Sequence, residues 1–596
     1  MPSTPLPSSL AGGDGDLCTR KHLVQQARAQ IDEEISARHL AVRALFTKRN
    51  ALAPISRLPD ELLATVFIFY ARQHHISEWA KVKTFSSPPT RIPPWVRVSY
   101  VCRHWRMVAL GCPTLWTYVF FFSRRWMTML LQRSQIAPLR VRLDLIDSDG
   151  NRRSSPMLEM LLEHLPRMEE FHIRGLSADV APKIISKLIV AAPLLQSIHI
   201  TGLFNNLRPL ASLDVSLLTL PVAFSRTTPK LRSLDLSRLD IAWNSLALTE
   251  ITSLRLSSVP RPHTMQQLSS ILSQMPHLTN LELEDVLPQV PSPFQDALTE
   301  KITLPYLLRL SIMAPIPDTV HFLSHVHVPL NSEIRLKCVF GGHASLSQLL
   351  SYVQKRLSPH EDESEGSMPK QPIRSMNIDG TPPWTFFVAC STSEGGYKYR
   401  ALSHKGNLHY RRGSPHNYDW DRDIPLKIDL KDSLSRALTE TVMVNIFQHL
   451  SLANLQSLAV YVPDTVDLSG IFWKGLFDLA RELRFIKLRH TALRSFITTL
   501  APDQGKNRVL TARALEEIEL EEVLFTTKCH DDEESGIDTC EPTLQCLCDA
   551  LAGRRHAGYP LTKITISDSW GIRTKQVDEL REIVCEVRWV GTNAEP

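Results

Sequence analysis

A short apolar motif, Leu-x-x-Leu-x-Leu with other apolar residues substituting, recurs through most of the chain. It reads Met168-x-x-Phe171-x-Ile173, Leu195-x-x-Ile198-x-Ile200, Leu231-x-x-Leu234-x-Leu236, Ile251-x-x-Leu254-x-Leu256, Leu278-x-x-Leu281-x-Leu283 and Leu307-x-x-Leu310-x-Ile312. It returns as Leu455-x-x-Leu458-x-Val460, Leu483-x-x-Ile486-x-Leu488, Leu515-x-x-Ile518-x-Leu520 and Leu561-x-x-Ile564-x-Ile566. Weaker copies sit at Val141-x-Leu143-x-Leu145, Ile334-x-Leu336 and Met376-x-Ile378. The last apolar position falls at 145, 173 and 200, again at 256, 283 and 312, and at 460 and 488, in steps of 27 to 29. Alternation within a copy predicts a short strand. Runs such as APKIISKLIVA, MQQLSSILSQM and FWKGLFDLARE predict helices between copies. One strand and one helix per unit build a solenoid, whose inward positions only stacked neighbours can bury.

Ahead of the array the period is helical. Over 19–51, Val24, Ala27, Ile31, Ile35, Val42 and Leu45 make a loose stripe interrupted at Arg38. This predicts either a short coiled coil that self-associates or an amphipathic helix docked on its neighbour. In 52–120 two helical halves follow. Pro59 suits a first helical turn, and Asp60 and Glu61 place negative charge at the positive end of the dipole. Leu62, Leu63, Val66, Phe67 and Tyr70 read as one apolar face; Val98, Val101, Cys102, Trp105, Val108 and Ala109 form the second half, and Leu115-Trp116 an anchor. HHISEWAKVKTFSSPPTRIPP between them reads as a surface loop. So small a bundle leaves apolar surface that another body must cover.

These residues carry a resemblance. Leu58-Pro59-x-Glu61-Leu62-Leu63, then Val101-Cys102-Arg103-x-Trp105-Arg106 and Leu115-Trp116, resemble an F-box. The array resembles leucine-rich repeats, and the pairing resembles the F-box proteins with C-terminal leucine-rich repeats abundant in mushroom-forming fungi. The implied fold is α/β: a small all-helical module followed by an irregular leucine-rich-repeat solenoid. The irregularity is expected because the Asn or Cys that usually follows each strand is mostly missing, with Arg238 or Asp285 near its place. The implied role is the substrate-recognition subunit of a Skp–cullin–F-box ubiquitin ligase, which catalyses nothing itself. Its partners would be the Skp adaptor, cullin through that adaptor, and an unknown protein substrate. Matching the motif residue by residue, adaptor contacts are expected at Leu58, Pro59, Leu62, Leu63, Val66, Phe67, Val101, Cys102 and Trp105. The competing expectation is a non-ligase scaffold whose F-box-like hairpin only caps the solenoid.

The organisation expected is a disordered N-terminus at 1–18, the helix at 19–51, the helical module at 52–120, the solenoid at 138–570 and a cap and tail at 571–596. Insertions interrupt the solenoid near 358–425 and 528–542. In the first, WTFFVACSTSEGG-YKYRALSHKG predicts a hairpin across Gly395-Gly396. Tyr397, Tyr399, Tyr410, Arg411, Arg412, Tyr418 and Trp420 mix aromatics with arginine, a composition that interfaces favour and that also suits a packed hairpin or stacked RNA bases. The net charge of +5 and 22% charged residues make no case for nucleic acid or a membrane surface as partner. No apolar run spans a bilayer, and ten scattered cysteines form no disulfide framework, so a chain of the cytoplasm or nucleus is expected. No nucleotide or nucleophile motif is present. Cys529, His530, Cys540, Cys546 and Cys548 match no zinc spacing, and neither metal nor cofactor is expected.

Overall fold

The computed structural model describes residues 14–82, 93–120, 124–145, 155–176, 192–202, 227–239, 248–262, 264–290, 301–329, 332–339, 343–357, 373–379, 386–391, 426–431, 436–462, 468–491, 493–501, 511–525, 544–572 and 574–590. They divide into two compact units, 1–142 with 147–151, and 143–146 with 152–596. The first unit thus reaches past the expected boundary at residue 120. Among the described residues no helix is long and apolar enough to cross a membrane.

The first unit begins with α1 (Asp14–Ala51). Then come α2 (Asp60–Val82), α3 (Val98–Val101), α4 (Arg103–Leu110) and, after strand β1 (Tyr118–Phe120), α5 (Arg124–Arg133). β1 pairs in parallel with β2 (Leu139–Asp144). The interior is aromatic. Trp95 and Trp116 are fully buried and meet edge to face at 5.4 Å. The Trp116 indole N–H donates to the Ala109 carbonyl at 2.7 Å, so the large ring is buried without an orphaned donor.

The second unit is a parallel sheet with helices between its strands. The strands are β3 (Met168–Leu176), β4 (Ser197–Gly202), β5 (Ser233–Ser237), β6 (Ser253–Ser257) and β7 (Asn280–Glu284). β8 (Ile302–Thr303) follows, then β9 (Arg309–Pro315), β10 (Val326–His327) and β11 (Glu333–Val339). The C-terminal set is β12 (Ser375–Asp379), β13 (Phe386–Ser391), β14 (Leu426–Lys431), β15 (Ser457–Tyr461), β16 (Phe485–Arg489), β17 (Glu517–Glu521), β18 (Lys563–Ser567) and β19 (Glu586–Val590). β8 and β10 pair only with each other.

Register explains the repeat. Ile173, Ile200, Leu236, Leu256, Leu283, Ile312 and Leu336 lie side by side on successive strands. All are buried, as are the preceding apolar positions of each copy. A row of equal positions places every inward side chain against its like on both sides, which is how stacked units share a core. The α/β solenoid predicted from the pattern is what the chain forms.

One stretch departs from sequential order. β14 pairs with β11 in parallel, β13 lies antiparallel between β14 and β12, and β12 pairs in parallel with β15. The insertion after Leu357 therefore contributes strands to the sheet. β13 is paired on both edges over Phe387–Cys390, and the turn and second strand of the hairpin expected across Gly395-Gly396 lie outside the described residues.

The strand exits are alike in backbone, though not in residue type. Arg238, Ser258, Asp285, His490, Glu522 and Asp568 each follow a strand directly and hold positive φ between 48° and 57°. Each donates its N–H to a carbonyl of the neighbouring strand, as Asp285 does to Met313 at 2.7 Å. A shared left-handed residue thus turns the chain at these exits, where the Asn or Cys usual in leucine-rich repeats is missing and irregular turns were expected.

Gly571 turns the chain after β18 with φ of 76°, and an added Cβ would stand 1.6 Å from the Phe525 carbonyl oxygen. Gly571→Ala is expected to destabilise the C-terminal units by at least about 2 kcal/mol. The check is earlier loss of amide-exchange protection at Phe525 and Trp570, whose N–H groups donate there to the Trp570 and Val523 carbonyls, each at 3.0 Å.

Candidate functional site

The chemistry-bearing surface of the first unit is built on α2. Its first turn carries Asp60 and Glu61, and the Pro59 carbonyl accepts the Leu63 N–H at 3.0 Å. Pro59 therefore caps the helix from just outside instead of occupying its first turn, and its missing N–H leaves no donor unpaired. His104 of α4 stands 3.5 Å from the Asp60 carboxylate and ties the two helices near that end.

α2 carries two apolar stripes. Leu63, Phe67 and Ala71 recur at four-residue spacing and are buried at 0%, 1% and 2% exposure. Phe67 packs on the Trp105 ring at 5.0 Å. The second stripe, Leu62, Val66, Phe69 and Tyr70, lies about 100° round the helix. These four are 54%, 47%, 63% and 43% exposed. Pro59 is exposed on the same side. Leu62 and Val66, grouped by sequence with Leu63 and Phe67, belong to a different face. The signal that separates the faces is the i, i+4, i+7, i+8 series beginning at Leu62, and Phe69 is the member that sequence reasoning missed.

The other expected contact positions divide in the same way. Val101 is exposed, next to exposed Tyr100 on α3, and Met107 is exposed on α4. Leu58 and Trp105 are half-buried. Cys102 is the N-cap of α4, its Sγ accepting the Trp105 N–H at 3.4 Å. Leu63 and Phe67 serve the interior of the bundle, and their burial leaves nothing for a partner to touch in this conformation.

The stretch expected to be a loop is partly helical. α2 runs to Val82, and Pro94–Arg97 is a 3-10 turn that buries Trp95 and Val96. Residues 83–92 lie outside the described part of the chain. Arg133 of α5 stacks over Trp116 at 4.3 Å. Burial, and then the nearby Arg106 charge, lower its pKa. A guanidinium over an indole covers that edge of the core.

In the second unit the alternate strand positions carry a polar face. His172, His199, Asp235, Arg255, Glu282, Ser311 and Arg335 are in register across β3 to β11. His199 Nδ1 meets Asp235 at 2.5 Å, and Arg255 lies 3.6 Å from both Glu282 and Glu284. Burial raises the Glu282 pKa against the pull of Arg255. On the C-terminal strands, Lys487 Nζ donates to Glu519 at 2.8 Å and to Glu521 at 2.6 Å. Burial works to lower the Lys487 pKa, but these two carboxylates outweigh it and raise it. Beside them, Ser375, Asn377, Ser457, Ala459, Phe485 and Lys487 help line a depression of about 430 Å³. Small side chains on β12 and β15 leave that space open.

Tyr397, Tyr399, Tyr410, Arg411, Arg412, Tyr418 and Trp420 lie outside the described residues, as do Cys529, His530 and Cys540. Cys546 is exposed and Cys548 buried, its thiol pushed up to about 12 chiefly by burial. That thiol is a core group and no nucleophile near neutral pH.

A family model described as F-box-like matches residues 55–122, which form an F-box-like domain. No curated protein matches the chain. Among solved structures, the crystal structure of the Rad7 and Elc1 complex in yeast matches at 12% identity, covering 81% of this chain and 94% of that one, with a TM-score of 0.24. A score that low does not establish a shared fold.

Proposed function

We propose that this chain is the substrate-recognition subunit of a Skp–cullin–F-box E3 ubiquitin ligase. The F-box-like domain docks on the Skp adaptor, and the repeats, read as leucine-rich repeats, hold a target protein. One observation carries the first half: α2 is apolar on two faces, and its own bundle covers only one. Four large apolar side chains in one stripe are the kind of surface that another protein buries. What supports the second half is the polar ladder and the depression on the open positions of the sheet, with the aromatic and arginine-rich segment around Tyr410 and Trp420 as a further contact. The chain's contribution is proximity: it raises the effective concentration of a target lysine beside a charged conjugating enzyme. The cytoplasm or nucleus is where such a complex works.

The test is co-purification of the full chain with the Skp adaptor. Wild type is expected to retain it, and Leu58→Ala with Pro59→Ala to lose most of it. Folded wild type that fails to retain the adaptor overturns the ligase role and leaves the scaffold, in which the helical domain only caps the array.

A further inference from the structure

α1 has no role in that function, and its surface is unusual. Every described residue from Arg20 to Arg49 is exposed. Leu23, Val24, Ile31, Ile35, Leu40, Val42, Leu45 and Phe46 are all exposed large apolar side chains. The docked alternative expected for this helix is therefore not what the chain adopts. A helix draws most of its stability from packing an apolar face, and no described residue of the chain covers that face of α1.

The stripe has an order that points to its occupant. Val24, Ile31, Ile35, Val42 and Phe46 fall within a sector of about 60° at ~100° per residue. Ile35 and Val42 lie equally far to either side of the point between Arg38 and His39, and so do Ile31 and Phe46. Turned end for end about that point, Ile31, Ile35, Val42 and Phe46 superpose on one another. Charge follows the same division. Residues 24–37 carry Arg28 against Asp32, Glu33 and Glu34, a net of −2. Residues 38–52 carry Arg38, Arg43, Lys48 and Arg49, a net of +4 with His39 neutral. Two parallel copies in register would set like against like; two antiparallel copies set each acidic half on a basic half.

We propose that α1 pairs antiparallel with α1 of a second copy of this chain, centred between Arg38 and His39. Ile35 then packs on Val42 of the second helix and Ile31 on its Phe46, while Asp32 comes beside its Arg43. Arg38 is the polar member near the two-fold axis. Glu34 of the same helix, 2.6 Å from it, offsets its charge. A single polar position in an apolar seam sets register at some cost in stability. The pairing makes the chain a dimer through a segment separate from the F-box-like domain, so it stands or falls independently of adaptor docking.

Light scattering and sedimentation equilibrium on the full chain test this. At micromolar concentration and low salt, wild type is expected at twice the monomer mass. Ile35→Glu with Val42→Glu is expected to be monomeric and still folded in the strand-and-helix array, because neither side chain packs on it. Asp32→Lys, Glu33→Lys and Glu34→Lys together make both halves basic and are expected to weaken the dimer at least tenfold. Adding Arg43→Glu, Lys48→Glu and Arg49→Glu to that triple variant restores opposite halves, and the dimer with them. Monomeric wild type overturns the proposal, as does a dimer that survives the Ile35 and Val42 changes. A dimer indifferent to the charge swap overturns the antiparallel pairing.

Discussion

Leu62→Asp combined with Val66→Asp is expected to weaken capture of the Skp adaptor by at least about a hundredfold while leaving thermal unfolding almost unchanged. Both side chains are about half exposed, so an aspartate at either place meets water in the free protein. In the complex each would be a desolvated carboxylate facing an apolar surface. Burying an aliphatic side chain contributes roughly 1.5–3 kcal/mol, and a hundredfold in affinity is about 2.7 kcal/mol. Losing two such anchors and desolvating two charges exceeds that. Leu63→Ala is the control with the opposite split. It lies one residue away and fully buried, so it is expected to cost about 2–5 kcal/mol of stability and to affect capture only through folding. Titration calorimetry beside thermal unfolding on all three proteins separates the two faces. If the Leu62 and Val66 variant binds as wild type does, the outer stripe is not the docking surface.

Arg554→Ala is expected to loosen the turn before β17 by about 2–4 kcal/mol, from the lost hydrogen bonds of a charged donor and the cavity left behind. Arg554 is fully buried, and its guanidinium donates to the Thr511 carbonyl at 3.0 Å and the Ala512 carbonyl at 2.8 Å. Burial pushes its pKa down to about 10, so the side chain is still a cation at neutral pH. Ala512 holds φ of 52°, a conformation that costs an alanine roughly 1–2 kcal/mol. The arginine fork clamps that turn and fixes where Leu515 enters the core. Removing it takes the guanidinium from the Thr511 carbonyl, leaves the Ala512 carbonyl only the Leu515 N–H at 3.2 Å, and leaves a cavity behind. Arg554→Met fills the cavity without the hydrogen bonds and is expected to recover only part of the loss. Neighbour-coupled units spread such damage locally. Amide exchange in Glu517–Glu521 should therefore accelerate well before that in β3 to β7. Uniform acceleration across both sets would show that Arg554 supports the whole array and not one turn.

The two halves of the chain were legible to different depths. In the array, period-two alternation at a spacing of 27–29 residues named the buried positions, and they are buried. That worked because in a stack each inward residue meets its own equivalent, so local pattern and tertiary contact coincide. In the F-box-like domain the motif located the surface at residues 55–122 but not its orientation. Leu62 and Leu63 are chemically the same residue, one facing outward and the other inward. Only the position of Trp105 and the buried Trp95 and Trp116 separates them. Trp95 directly follows the proline-rich stretch read as a loop, and those prolines signal a turn but say nothing of what the turn covers.

The sequence by itself determined the architecture: a helical N-terminal region, a strand-and-helix array, and the inward row of every repeat, because those depend on side-chain period and on contacts between adjacent units. Three things needed the tertiary structure. It decided which stripe of α2 is left open. It decided that no described residue of the chain covers the apolar stripe of α1. It also placed β14 beside β11 with β13 reversed between β14 and β12. Each depends on what lies across from a residue, and the segments that supply those neighbours are far away in sequence. No periodicity encodes a neighbour of that kind.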